Sequence, residues 1–402
     1  VRTVDEHLAE VLARVQPLEP LDVSLLDSRG CLLAEPVTAP WPLPPFDAAG
    51  VDGYAVRAED VAAASGQVPV GLDVVDDVPA GYRASHPVTA GTAIRMASGA
   101  PMPAGADAVV PAESTDGGMP RVLVHHHVAP SLNVRRAGED LGAGSVVLEQ
   151  GALVGAREVA LLAAVGRARV RIRPKPRVIV MSTGTELVEP GAPMTPGLIA
   201  DSNGYMLTAA AQDAGAMAYR AGPVPDEQRP LMDALEDQLV RSDVIVTTGG
   251  VTAGTYDTVK SVLARLGAVD FTRVAMAPGM AQGHGHLGPD HVPIFTLPGN
   301  PASAFVSFEL FVRPVIRRML GHQQVFRPLV TARLTAAVSG QAGLRSYLRG
   351  HLHGPGGERL IAPVSEPGLQ GLRLANSLIV LPEGAGEVPA GATVSVMPLG
   401  RA

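Results

Sequence analysis

The chain has 402 residues, more than one hydrophobic core usually organises, so two or more domains are expected. Its 46% hydrophobic and 18% charged residues exclude a disordered chain, and a net charge of −7 excludes non-specific nucleic-acid binding through a broad basic field. Cys31 is the single cysteine, which excludes an internal disulfide or a cysteine-based zinc site and fits a reducing cytoplasm. The first residues interleave charges with apolar side chains, unlike a signal peptide, and no apolar run is long enough to span a membrane.

Val4, Leu8, Val11, Leu12 and Val15 recur at helical spacing. From residue 44 to about 145 the chain is rich in Gly, Pro and Val, with short apolar runs such as "AIRMASG" and "ADAVVPAE", the pattern of a β-rich domain. "AREVALLAAVG" predicts a helix ended by Gly166, and "PKP" at 174–176 marks a boundary. Residues 177–320 then alternate apolar strands with helices, which predicts a parallel α/β sheet. Residues 327–402 alternate again and predict a small β domain, a barrel being one form.

Three loops in the α/β region follow apolar strands: "MSTGTELVEPG", "TTGGVTAGTYD" and "LPGNPASA". Ligands bind beyond the carboxyl ends of strands in such sheets, where glycines bare backbone N–H groups. One such loop alone is an ordinary turn; three together point to a pocket for a phosphorylated or otherwise anionic ligand. Glu186 and Asp257 lie in these loops, Asp243 precedes the second strand, and Asp201 either caps the next helix or serves the ligand. Carboxylates beside an anion make sense with a hard cation between them, or as a base. His125–His127 and the "HGH" of 284–286 read as surface loops rather than metal ligands, since no further ligands stand at a recognisable spacing. Arg135 and Arg136 form either a solvated turn or a phosphate contact.

In order, "FDAAGVDGYAVRAED", "SGAPMPAGADAVVPAE", "RRAGEDLGAGSVVL", "MSTGTELVEPG", "IADSNGYML", "DVIVTTGGVTAGTYDTVK", "VAMAPGMAQG" and "LPGNPASAFVSFELFVRP" resemble the MoeA family, the molybdopterin molybdenumtransferases. The resemblance implies a multidomain α/β plus β chain: an elongated linker domain from 1–25 and 146–175, a β-rich inserted domain at 26–145, an α/β ligand-binding domain at 176–326 and a C-terminal β domain at 327–402. It implies a cytoplasmic homodimer that inserts molybdenum from molybdate into adenylylated molybdopterin with Mg²⁺ and releases AMP, with neither nucleic acid nor membrane as partner. A non-catalytic or altered-substrate relative, binding a pterin, nucleotide or protein on the same scaffold, is the alternative.

Matched residue by residue, Asp52, Glu186 and Asp243 take catalytic roles, Glu186 and Asp243 also as metal ligands. Ser98, Asp140, Asp201, Gly249, Gly250, Arg273, Pro298, Gly299, Asn300 and Arg349 take substrate-binding roles. Asp47 is assigned to holding its turn. The chain departs from the family pattern at Ala49, Val51 and Thr255, and at Ala277 and Met280, which replace two lysines. Losing two charge-assisted contacts of about 1.5–3 kcal/mol each weakens anion binding unless Arg273 or Arg373 compensates.

Overall fold

A computed structural model describes residues 1–250, 258–354 and 358–400. The chain divides into two compact units: one made of Val1–Leu21, Gly30–Leu32 and the chain from Arg171 onward, the other of Asp22–Arg29 and Leu33–Val170. Helix α1 (Val4–Leu12) opens the first unit. Thr3 and Glu6 close a capping box at its start, and Val4, Val11 and Leu12 share a core with Val178, Val180 and Phe311. The amphipathic face of α1 thus seats it with the α/β residues, whereas the resemblance grouped 1–25 with 146–175.

The second unit is built on a five-stranded sheet ordered Ala108–Pro111, Gly53–Val56, Thr92–Met96, Val70–Val78, Arg121–Val124. Both faces are covered: Tyr54, Val56 and Val110 enter one core, Ala55, Ile94 and Val109 another, as the period-two alternation of strands requires. Helix α2 (Ala156–Ala164) follows in this unit.

In the first unit a six-stranded sheet runs in the order Met217–Val224, Arg177–Thr183, Val244–Thr248, Val292–Leu297, Ala281–Leu287, Gly267–Arg273. The first four strands are parallel, as the alternating pattern predicts. The last two add antiparallel, so the sheet is mixed rather than wholly parallel. The cause is local: a turn of Gly288–His291 joins Ala281–Leu287 to Val292–Leu297 and leaves no room for a crossover helix. Helices α3 (Asn203–Asp213) and α4 (Gln228–Leu239) link parallel strands, and α5 (Thr258–Leu266) leads into the edge strand Gly267–Arg273. After Asn300 the chain forms α6 (Pro301–Ser307), a π turn over Phe308–Val312, and α7 (Arg313–Met319). Pro314 has no N–H to offer the preceding turn, which accounts for the change of register.

The C-terminal strands close on themselves. Arg345–His353 pairs with Leu360–Pro363, which pairs with Val330–Leu334, then Thr393–Pro398, then Ser377–Leu381, which returns to Arg345–His353. The barrel has its own core around Leu334, Ile361, Ile379 and Val396. Helix α8 (Gly368–Leu374) lies between two of its strands in sequence, and Met276–Ala277 pairs with Arg345–Ser346.

Candidate active site

Arg177–Thr183, Val244–Thr248 and Val292–Leu297 run parallel, so the glycine-bearing loops leave the sheet at one end. There they are stitched together. The Gly249 amide donates to the Leu297 carbonyl at 3.1 Å, and the Thr183 hydroxyl to the Thr248 carbonyl at 3.3 Å. The Thr248 hydroxyl donates to the Pro298 carbonyl at 3.1 Å and accepts from the Asn203 amide at 3.0 Å; the same amide nitrogen reaches the Gly299 carbonyl at 2.7 Å. Gly249 is required here: its φ is +106°, and a Cβ would lie 2.5 Å from the Thr183 carbonyl oxygen. Gly250, at φ +66°, would drive a Cβ into Val259. These loops surround a cavity of about 120 Å³ lined by Thr183, Glu186, Asp201, Asn203, Thr248, Gly249 and Gly299. Glu186, Asp201, Gly249 and Gly299 are therefore brought together, with Pro298 bonded into their wall.

The acids divide by environment. Asp201 is buried and accepts from the Ser182 hydroxyl at 2.7 Å, the Gly204 amide at 2.9 Å and Arg220 at 3.3 Å. It secures the start of α3, which is the capping reading; Ser202 makes no side-chain cap. Glu186 is exposed, and its carboxylate has no hydrogen bond or ion pair among the described residues. Asp226 stands near it, unnoticed in the sequence reading. Burial pushes its carboxyl up from the ordinary range, the Glu186 charge adds to this, and the Thr183 hydroxyl opposes it. Its Oδ1 is buried without a partner. Asp226 follows the carboxyl end of Met217–Val224, so the rule that selected the other loops selects this one too.

Asp243 is a correction. It precedes Val244–Thr248 and therefore lies at the opposite end of the sheet, on the order of 15 Å from the glycine loops. Its carboxylate accepts from the Arg177 backbone amide at 2.7 Å and from the guanidinium at 3.1 and 2.9 Å. Glu186 follows the strand that Arg177 begins, so Glu186 and Asp243 cannot share a cation. Asp257 and Thr255 lie outside the described residues. Among the described residues no group of three acids, histidines or cysteines could hold a metal alone. Glu186 with Asp226 does suit Mg²⁺, which takes one or two carboxylates and leaves its other positions to water and phosphate; the orphaned Asp226 oxygen is the observation that fits.

Arg349 and Asn300 line a different cavity, of about 520 Å³, with Ala277, Tyr347 and Gln341. Arg349 donates to the Gly368 carbonyl at 3.1 Å and has no carboxylate partner among the described residues. Gly371 makes room for it, since a Cβ there would lie 2.6 Å from its Nη1. Asn300 caps α6 by accepting from Ala302 and Ser303. Arg273 is exposed, with Nη2 2.8 Å from the Met280 sulfur, so a cation does lie beside the position of one missing lysine. Arg373 is exposed.

In the second unit Asp52 and Ser98 meet: the Ser98 amide donates to Asp52 at 2.7 Å. Asp140 pairs with Arg135 at 2.9 Å. Asp47 accepts from the Ala137 amide at 2.8 Å and from Arg136 at 2.6 Å; these bonds hold its carboxyl below the usual range and fix the turn. The two arginines thus have carboxylate partners. "HGH" is a second correction: it lies in the strand Ala281–Leu287 with His284 buried, not in a surface loop.

Comparison with known proteins meets this geometry along nearly the whole chain. Residues 2–166 match the MoeA N-terminal region (domains I and II), residues 179–318 a probable molybdopterin binding domain, and residues 331–399 the MoeA C-terminal region (domain IV). The chain belongs to the MoeA family. A relative from Mycobacterium tuberculosis named molybdopterin molybdenumtransferase 2 is 41% identical, covering 99% of this chain and 100% of its own. The Bacillus subtilis molybdopterin molybdenumtransferase is 35% identical, covering 98% and 93%. The crystal structure of a molybdopterin biosynthesis MoeA protein from Pyrococcus horikosii superposes with a TM-score of 0.82 at 32% identity, covering 100% and 99%. MoeA relatives of this length are named as enzymes, and the chain is read as one. Among its described residues no helix is long and apolar enough to cross a membrane.

Proposed function

We propose that this MoeA-family enzyme inserts molybdenum from molybdate into adenylylated molybdopterin and releases AMP. The observation that carries the reading is the convergence of Glu186, Gly249, Pro298 and Gly299 around one cavity at the carboxyl end of the parallel strands. Backbone N–H groups at such strand ends favour phosphate and other anions. Mg²⁺ would be held by Glu186 of this cavity and by Asp226 near it, and would offset phosphate charge. Asn203 and Thr248 keep the loops in register, so that these groups meet the substrate without reorganisation. Arg349 supplies an unneutralised cation for a second anionic group, molybdate or a substrate phosphate. Asp52, Ser98 and Asp140 enter the proposal through the resemblance.

One observation favours a second reading, an altered-substrate member of the family: Ala277 faces the Arg349 cavity without charge. A single assay separates the two. The purified protein is given adenylylated molybdopterin, molybdate and Mg²⁺, and AMP is measured. Turnover supports the first reading; pterin binding without AMP release overturns it in favour of the second.

A further inference from the structure

The "HGH" strand meets α1 through a run of imidazoles that the proposed chemistry does not use. His7 on α1 is 2% exposed and His284 is 7% exposed. Their ring centroids lie 6.2 Å apart; His284 lies 5.7 Å from His286, and His286 6.5 Å from His291. Phe311 meets the His7 ring edge-on at 4.7 Å, and Phe295 lies 5.1 Å from His284. The Nδ1 of His7 is buried without a partner. A groove of about 460 Å³, lined by Glu10, Arg14, Asp270, His284 and His286, gives solvent a route to the run.

We infer that this run is a proton-sensitive latch that holds α1 on the α/β sheet when its imidazoles are neutral and releases it when they are charged. A proton on His7 would stand in an apolar box beside Phe311 with no acceptor at Nδ1, and the next imidazole would repel it. The charged groups around it do not rescue that state. From the α1 segment, Arg2 opposes a further positive charge, and its guanidinium is already shared between Glu10 at 2.6 Å and Asp270 at 2.8 Å. Asp270, from the neighbouring strand, is the one group that favours protonation of His7. Arg14 and His291 oppose it at His286. Burial holds His7 at about 4 and His284 at about 3. Other tethers of this segment do not titrate near neutrality: Asp5 pairs with Arg345 at 2.8 Å, and the Arg2 backbone bonds to Arg273 and Ala275. Because the folded values are depressed, the hold is complete above the unfolded histidine value of about 6.5 and is lost as pH falls toward the folded values.

Hydrogen exchange of the intact protein tests this, corrected for the intrinsic pH dependence of amide exchange. Between pH 7 and 5 the amides of Val4–Leu12 lose protection by at least roughly twentyfold, the effect of moving His7 alone from about 6.5 to about 4, and by more where His284 titrates with it. The amides of Arg177–Thr183 and Val244–Thr248 hold theirs. His7→Phe removes one of the two depressed imidazoles, so the folded variant keeps a smaller pH response of α1 than the wild-type chain; His284→Phe does the same should the first fail to fold. Parallel loss in the central strands, no response in α1, or an unchanged response in the folded variant overturns the latch.

Discussion

The two ends of the parallel strands hold acids of the same kind and treat them differently. At the amino end Asp243 is enclosed by three bonds from Arg177. At the carboxyl end Glu186 has no bonded partner among the described residues, and Asp226 keeps a buried oxygen unpaired. A carboxylate satisfied by an arginine fork anchors structure; acids left unsatisfied at a loop-lined cavity can take a ligand. Strand direction decides the difference: a parallel sheet gathers its strand-to-helix loops at the carboxyl end, while helix-to-strand loops such as the one holding Asp243 lie at the amino end.

The contrast can be broken by mutation. The largest effect is expected at Glu186→Gln, which should lower AMP release roughly 10²-fold while leaving thermal unfolding unchanged; loss of stability instead would make Glu186 a structural acid. Asp201→Ala removes three bonds from a buried site and strands Ser182 and the Gly204 amide, so denaturant unfolding should show a loss of about 2–3 kcal/mol. Gly249→Ala forces a side chain against Thr183 at positive φ and should cost roughly 1–3 kcal/mol and the activity together. The smallest effect belongs to Asp243→Asn. The Arg177–Asp243 pair is half in solvent, so the expected loss is about 1 kcal/mol in urea unfolding, with AMP release changed less than about threefold. A large loss of turnover at Asp243 with stability intact would return it to the reaction.

Much of this was legible before the fold. The alternation of strands and helices over 177–320 and the three loops followed from apolar runs and glycine placement, and the β character of the C-terminal domain from alternation. Asp243 was legible too: standing before its strand, it could not sit with loops that follow theirs, yet motif matching grouped it with them. Asp226 was passed over because "PDEQRP" reads as a helix start, and its neighbour Glu186 lies far away in sequence. His7 belongs to a polar position in a helical pattern; nothing local marks it as buried.

What the sequence by itself determined was therefore the type of each element and which turns could accept positive φ, because both depend on interactions within a few residues. The tertiary structure alone decided that the sheet ends in two antiparallel strands, that the C-terminal strands close into a ring, and which acids meet. Those outcomes rest on strand direction and register between distant segments, where burial and partner choice, rather than residue type, set what a carboxylate or an imidazole does.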